Sequence, residues 1–300
     1  MSNALLLLPD FLLIVVGFVL CRYTALGRPV WDAAERLVYY LLFPVLLFNS
    51  IVKSPLQPAQ TLSLAAAGVG TVACGIVLAM ALKRWPGVDA RLHASGAQCA
   101  FRFNSYIGLA LAERLGGPQA LAWIALLIAL CVPLCNVAAV WPLARHGGHS
   151  YGRELSRNPL IVSTVAGLIG NLVGLKFPEA VGTTLQRIGL AALPLGLMAV
   201  VAGLRFGGLK AAPMLAAALM AIRHALLPAV AIALAALLAL RVEQATIVVL
   251  FAALPTASSA YVLAARMGGD GPFVAGLVTV STLLGMISVP VWLAVLAGLT

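Results

Sequence analysis

Apolar runs long enough to cross a hydrocarbon layer recur along the whole of this chain, each closed by a short stretch of charge, glycine or proline. A layer ~30 Å thick takes about 20 apolar residues as a helix, whereas barrel strands are shorter and alternate in polarity. With 62% hydrophobic and 9% charged residues, a 300-residue chain has too little polar surface to coat a soluble globule. The chain therefore reads as an α-helical, polytopic integral membrane protein. Punctuation by charge, Gly and Pro places ten transmembrane spans at about 5–21, 33–52, 61–82, 92–115, 119–143, 159–175, 181–204, 212–240, 244–267 and 272–298. The first residues carry no basic stretch and no small-residue cleavage site, so span 1 is expected to remain as a helix.

Charge is distributed by side. Arg22, Arg28, Lys83, Arg84, Arg91, Lys210 and others gather on one face of the alternating spans, whereas the opposite face has only Lys53, Arg114, Lys176 and Arg241. The positive-inside rule makes the first face cytoplasmic, with both termini outside the inner membrane. The polar stretch 146–158 divides the chain into halves, 1–145 and 159–300, of five spans each. An odd number of spans per half inverts the second half, the geometry of an inverted-topology repeat. Faint echoes agree with this. Pro44 and Pro194 sit amid leucines in the second span of each half, Pro133 and Pro290 in the last, and Asn104 falls against Ser258 in the fourth.

The formal net charge of +10 is scattered through short loops rather than clustered on one element, which speaks for membrane topology and against nucleic acid. Cys21, Cys74, Cys99, Cys131 and Cys135 lack the paired spacing of a metal site and are expected as buried, reduced, structural thiols. No nucleophile elbow, no His-Glu-x-x-His and no phosphate-binding loop occurs, so enzyme chemistry, a cofactor and ATP-driven pumping are not expected.

Arg102 lies about ten residues into span 4, roughly 15 Å deep. A charge there facing lipid costs at least ~2.5 kcal/mol, so it must face protein or a water-filled cavity. Asn104, Ser105 and Gly108 follow, adding donors and a residue that permits unwinding. A substrate-binding breakpoint fits these residues, and so does an arginine that only holds helices together. Span 9 carries Leu254-Pro255-Thr256-Ala257-Ser258-Ser259-Ala260-Tyr261, in which proline frees carbonyls while hydroxyls crowd the same place. Two interrupted helices at matching positions of inverted halves point to a transporter's binding site, because half-helix N-termini carry partial positive charge suited to an anion. Arg223 and His224 form a second mid-span pair in span 8, with anion binding, a structural role and, for His224, proton carriage all open. Asn49 in span 2 is a further substrate-binding candidate beside a packing role, and Asn171 is another in-span polar residue. All nine acids fall near span ends, which disfavours a cation antiporter and points to an anionic substrate.

The run Arg102-Phe103-Asn104-Ser105-Tyr106-Ile107-Gly108, the run from Leu254 to Ala264 followed by Gly268-Gly269-Asp270, and Phe43-Pro44-Val45-Leu46-Leu47-Phe48 together resemble the auxin efflux carrier family, including its bacterial malonate-carrier-like members. The resemblance covers essentially the whole chain. It implies an all-α fold of ten helices, a 5+5 inverted repeat with interrupted, crossing helices 4 and 9, similar to sodium/proton antiporters and bile-acid symporters. It also implies a scaffold domain of spans 1, 2, 6 and 7 and a transport domain of spans 3–5 and 8–10; whether the scaffold pairs two copies as a homodimer is left open. Relatives often place a proline shortly after the asparagine, where this chain has Gly108-Leu109-Ala110. The expected function is elevator-type secondary transport of a small mono- or dicarboxylate such as malonate or an auxin-like acid, seated by Arg102, Asn104, Ser105, Gly108, Pro255, Thr256, Ser258, Ser259, Tyr261, Arg223 and Asn49. Coupling to H⁺ through His224, or to Na⁺ near Thr256, Ser258 and Ser259, is open. So are the alternatives of a sodium-coupled symporter of a larger amphipathic anion and a passive uniporter or channel.

Overall fold

A computed structural model of the protein describes residues 3–53, 58–143, 159–200, 208–257 and 259–299. Ser258 and the polar connection at 146–158 lie outside the described residues. All regular structure among the described residues is helical. Among the described residues, five helical stretches are long and apolar enough to cross a membrane: Arg28–Lys53, Thr61–Arg84, Ala90–Val140, Pro213–Leu237 and Gly271–Leu299. The chain is thus a multi-pass membrane protein.

In the first half, α1 is Asn3–Tyr23, α2 Arg28–Leu37, α3 Phe43–Lys53, α4 Pro58–Ala81, α5 Ala90–Gly96 and α6 Ser105–Leu143. In the second, α7 is Pro159–Leu172, α8 Glu179–Leu190, α9 Ala192–Val200, α10 Pro213–Ala221, α11 Leu227–Leu237, α12 Val242–Ala253, α13 Ser259–Arg266 and α14 Gly271–Leu299. A π turn, Val38–Leu42, joins α2 to α3 ahead of Pro44, and another, Ile222–Leu226, joins α10 to α11 ahead of Pro228. Proline removes one rung of the ladder, and a widened turn just before it absorbs the mismatch without ending the helix. Inside α6 the backbone leaves the helical region at Gly116 and Gly117, where φ of the latter is 58°. That positive φ suits glycine and separates what the sequence reads as spans 4 and 5.

The chain forms two compact units. The first comprises Met1–Thr61, Tyr106–Ala129 and Ser150–Ala202. Within it Phe43 stacks on Tyr106 at 4.8 Å between ring centroids, with the rings 8° from parallel. Asn171 resolves into a cap: its Nδ2 donates to Ile51 O at 2.9 Å and Val52 O at 3.1 Å, two of the last carbonyls of α3. Asn49, also on α3, is 8% exposed, and its Oδ1 has no hydrogen-bond partner among the described residues. The second unit comprises Leu62–Ser105, Leu130–His149 and Gly203–Thr300. In it α12 and α14 pack together, and His93 Nε2 donates to Ala79 O at 2.9 Å.

All five cysteines are free, but only Cys99, Cys131 and Cys135 are buried. Cys21 and Cys74 are half-exposed, which corrects the expectation of five buried thiols. A thiol behaves as a small apolar group, so a helix face turned to hydrocarbon tolerates it.

Helices α1 and α9 approach so closely that a Cβ at Gly17 would stand 2.3 Å from the backbone oxygen of Met198. Backbone cannot yield as a side-chain tip can, so Gly17→Ala is expected to lower stability by about 1–3 kcal/mol. A thermal unfolding scan of the purified protein reads this as a fall in midpoint, and an unchanged midpoint would contradict the contact.

Candidate functional site

Two helices are interrupted within the second unit. α5 tightens into a 3₁₀ turn at Ala97–Ala100, the chain runs non-helically from Phe101 to Asn104, and α6 begins at Ser105. α12 ends at Ala253, residues 254–257 are non-helical, and α13 begins at Ser259. The second break falls where Pro255 predicts it. The first precedes Gly108, which instead lies buried inside α6 in the first unit. Ser105 opens α6, and Tyr261 lies within α13. Asn49 belongs to the first unit.

An interrupted helix leaves donors and acceptors that water cannot reach, and each buried one must find a partner. Here the two breaks supply much of that pairing for one another. Asn104 N donates to Pro255 O at 2.8 Å, so one broken backbone bonds directly to the other. The Thr256 hydroxyl donates to Cys99 O, and Gln98 Nε2 donates to Ala260 O at 3.2 Å and to Ser95 O at 3.1 Å. The Cys135 thiol faces Phe101 O at 3.6 Å. The rings of Phe103 and Phe251 pack beside these contacts at 4.4 Å. Thr256 and Asn104 are buried as a result.

The two arginines occupy different surroundings. Arg223 is 1% exposed and donates from Nε to Leu254 O at 2.5 Å and from Nη2 to Phe251 O at 3.3 Å. These carbonyls lie at the C-terminal end of α12, the negative pole of its dipole, so the guanidinium both caps and neutralises the broken helix. Arg102 is half-exposed. Its Nη1 donates to Gln98 Oε1 at 3.3 Å and its Nη2 to Ser259 Oγ at 3.1 Å, which holds the cation against the first residue of α13. Gln98 has a fixed orientation, because its amide nitrogen faces two carbonyls and its oxygen faces the guanidinium.

The acids of the second unit sit at helix starts. In the second unit Asp89 Oδ1 caps α5 through Leu92 N at 2.8 Å, Asp270 Oδ1 caps α14 through Phe273 N at 2.9 Å, and Glu243 sits in the first turn of α12. Each offsets a helix dipole at its start. The breaks therefore hold two cations, backbone carbonyls, amides and hydroxyls.

His224 bonds through both ring nitrogens, to Ser288 Oγ at 2.9 Å and to Ser281 Oγ at 2.8 Å. Ser281 Oγ also accepts from Thr256 N at 2.8 Å. Sequence reasoning missed Gln98, Ser281, Ser288 and Trp292. A signal was present, since Ser281, Gly285, Ser288 and Trp292 recur at helical spacing and so share one face of α14. Gln98 likewise stands one turn before Arg102.

Gly285 on that face lies under the break. A Cβ there would meet three atoms of the Pro255 ring at 3.1–3.2 Å. Gly285→Ala is expected to displace the 254–257 turn and to lower stability by about 1–3 kcal/mol. An unchanged midpoint in a thermal unfolding scan would contradict this placement.

Residues 143–293 match the family described as membrane transport protein. An uncharacterized transporter from Methanothermobacter thermautotrophicus is 26% identical over 303 residues, covering 99% of this chain and 99% of its own.

Proposed function

The chain belongs to the membrane transport protein family, as its resemblance to the auxin efflux carriers implies, and on that premise we propose that it is a secondary transporter of a small organic anion of the mono- or dicarboxylate class. The observation that carries this reading is the Arg102 guanidinium bonded to Ser259 at the start of α13, half-exposed, in a unit whose acids all sit at helix starts. A carboxylate suits a planar guanidinium and a helix N-terminus together, since both offer donors to the same charge. Asn104, Ser105, Thr256 and Ser259 line the remainder of the proposed seat. Arg223 serves it indirectly, by holding the end of α12. A Na⁺ ion near Ser259 would stand beside the Arg102 guanidinium, so we assign the hydroxyls there to the anion.

The ten spans, the inverted repeat and the outward termini of the sequence reading belong to this proposal. Both breaks and both mid-span arginines lie in the second unit, which supports the reading of that unit as the body that carries the substrate in an elevator cycle across the inner membrane. Saturable exchange, rather than free conduction, follows from a seat that must be occupied to move.

A thermal-shift screen of acetate, malonate, succinate and indole-3-acetate selects the probe, because a ligand that binds the native state raises its unfolding temperature. Counterflow of that carboxylate in proteoliposomes is then expected to saturate. Arg102→Ala is expected to lower transport at least tenfold while inserting and folding normally, since a hydrogen bond to a charged group is worth about 1.5–3 kcal/mol. Wild-type counterflow in Arg102→Ala would overturn the seat.

A further inference from the structure

Pro228 has no N–H, so the carbonyl of His224, four residues earlier, loses its helical donor. Trp292 Nε1 on α14 replaces it at 2.7 Å, at the π turn Ile222–Leu226. The backbone of His224 is thereby tied to α14, and its ring is tied there too. The partners decide which ring nitrogen carries the proton. Ser288 Oγ reaches Ala253 O at 3.5 Å, the longest link, and a carbonyl can only accept. With the Ser288 hydrogen on Ala253 O, its lone pair is open to a proton from His224 Nδ1. On the other side Ser281 Oγ already accepts the Thr256 N–H, so its own hydrogen is free to point at Nε2. A neutral ring protonated at Nδ1 satisfies every link. The chain of donors then runs in one direction: Thr256 N–H to Ser281, Ser281 to His224, His224 to Ser288, Ser288 to Ala253 O. Its two ends lie on opposite sides of Leu254 and Pro255, the residues at which the helix opens.

We propose that His224, Ser281 and Ser288 form a latch that holds the open turn 254–257 in the shape the anion requires, and that His224 is a positioning residue. The proposal rests on the crossing being the anion seat. A buried imidazole between two hydroxyls has both of its polar atoms engaged, so it contributes geometry and leaves contact with the ligand to other groups. Thr256 is the element being positioned, because its amide enters the latch while its hydroxyl bonds to Cys99 O on the other broken stretch.

The test uses the full chain in lipid nanodiscs. The ¹⁵N shifts of the His224 ring, assigned by difference against His224→Asn, are expected to show Nδ1 protonated and Nε2 bare; a ring protonated at Nε2 overturns the latch. Amide exchange at Thr256 is expected to accelerate about tenfold in Ser281→Ala, since one hydrogen bond is worth about that factor. It should accelerate similarly in His224→Asn, although the histidine ring bonds to Ser281 and not to Thr256. Ser281→Thr, which keeps the hydroxyl, is expected to restore slow exchange. Unchanged Thr256 exchange in His224→Asn overturns the proposal.

The functional arm measures the carboxylate chosen by thermal shift. Ser281→Ala is expected to raise its half-saturation concentration several-fold with little change in maximal rate. If half-saturation does not move while Arg102→Ala abolishes transport, the latch fails and the seat stands. If Arg102→Ala leaves transport intact, the seat fails, and Thr256 exchange then reports the latch as a purely structural device, which also overturns the positioning role.

Discussion

A helix cannot be interrupted inside hydrocarbon unless every backbone group it frees finds a partner in protein or in a water-filled cavity. That requirement governs the second unit of this protein. The breaks at 101–104 and 254–257 bond directly to one another through Asn104 N and Pro255 O, and further groups around them are paired by Gln98, Thr256, Arg223, Cys135 and Ser281. These side chains come from several different helices. The interruption is thus distributed over the packing of the unit, and small residues such as Gly285 are where that packing tightens onto it.

The same requirement divides the two mid-span arginines. Arg223 directs Nε and Nη2 to backbone carbonyls at the end of α12 and is buried, so its charge is matched by a helix dipole. Arg102 is held from the side by Gln98 and reaches Ser259 at the beginning of the other half-helix, where it is half-exposed. One cation completes the scaffold of the break; the other is the group to which the proposed function assigns the anion. Asp89, Glu243 and Asp270 are bound up with helix starts, which supports that proposal.

Much of this was legible in the residues. Membrane helices follow from apolar runs of spanning length, and the opening of span 9 follows from Pro255, whose missing N–H and ring bulk announce a break wherever they fall mid-span. The opening of span 4 was harder to place. It has no proline, so its limits depend on contacts with the other broken stretch, and the permissive Gly108 ended up inside a regular helix. The partners on α14 were hidden for a related reason. Serines in a membrane helix commonly bond to their own backbone, and nothing local to Ser281 or Ser288 says that a histidine from another span will lie between them. Likewise Asn171 shows no sign in sequence that it caps α3 across more than a hundred residues of chain. Periodicity names the face of a helix; which helix meets that face is a tertiary fact.

The central claim is that a carboxylate sits against the Arg102 guanidinium at the crossing of the two breaks. The most direct measurement is a solid-state NMR dephasing experiment on the protein in lipid, with the ligand ¹³C-labelled at its carboxylate and the arginines ¹⁵N-labelled in the guanidinium. The account predicts strong dephasing, corresponding to hydrogen-bonded contact at about 4 Å or less between carbon and nitrogen, and its loss in Arg102→Lys, which lacks the labelled guanidinium. Bound carboxylate that shows no dephasing, or dephasing that survives in Arg102→Lys, would contradict it.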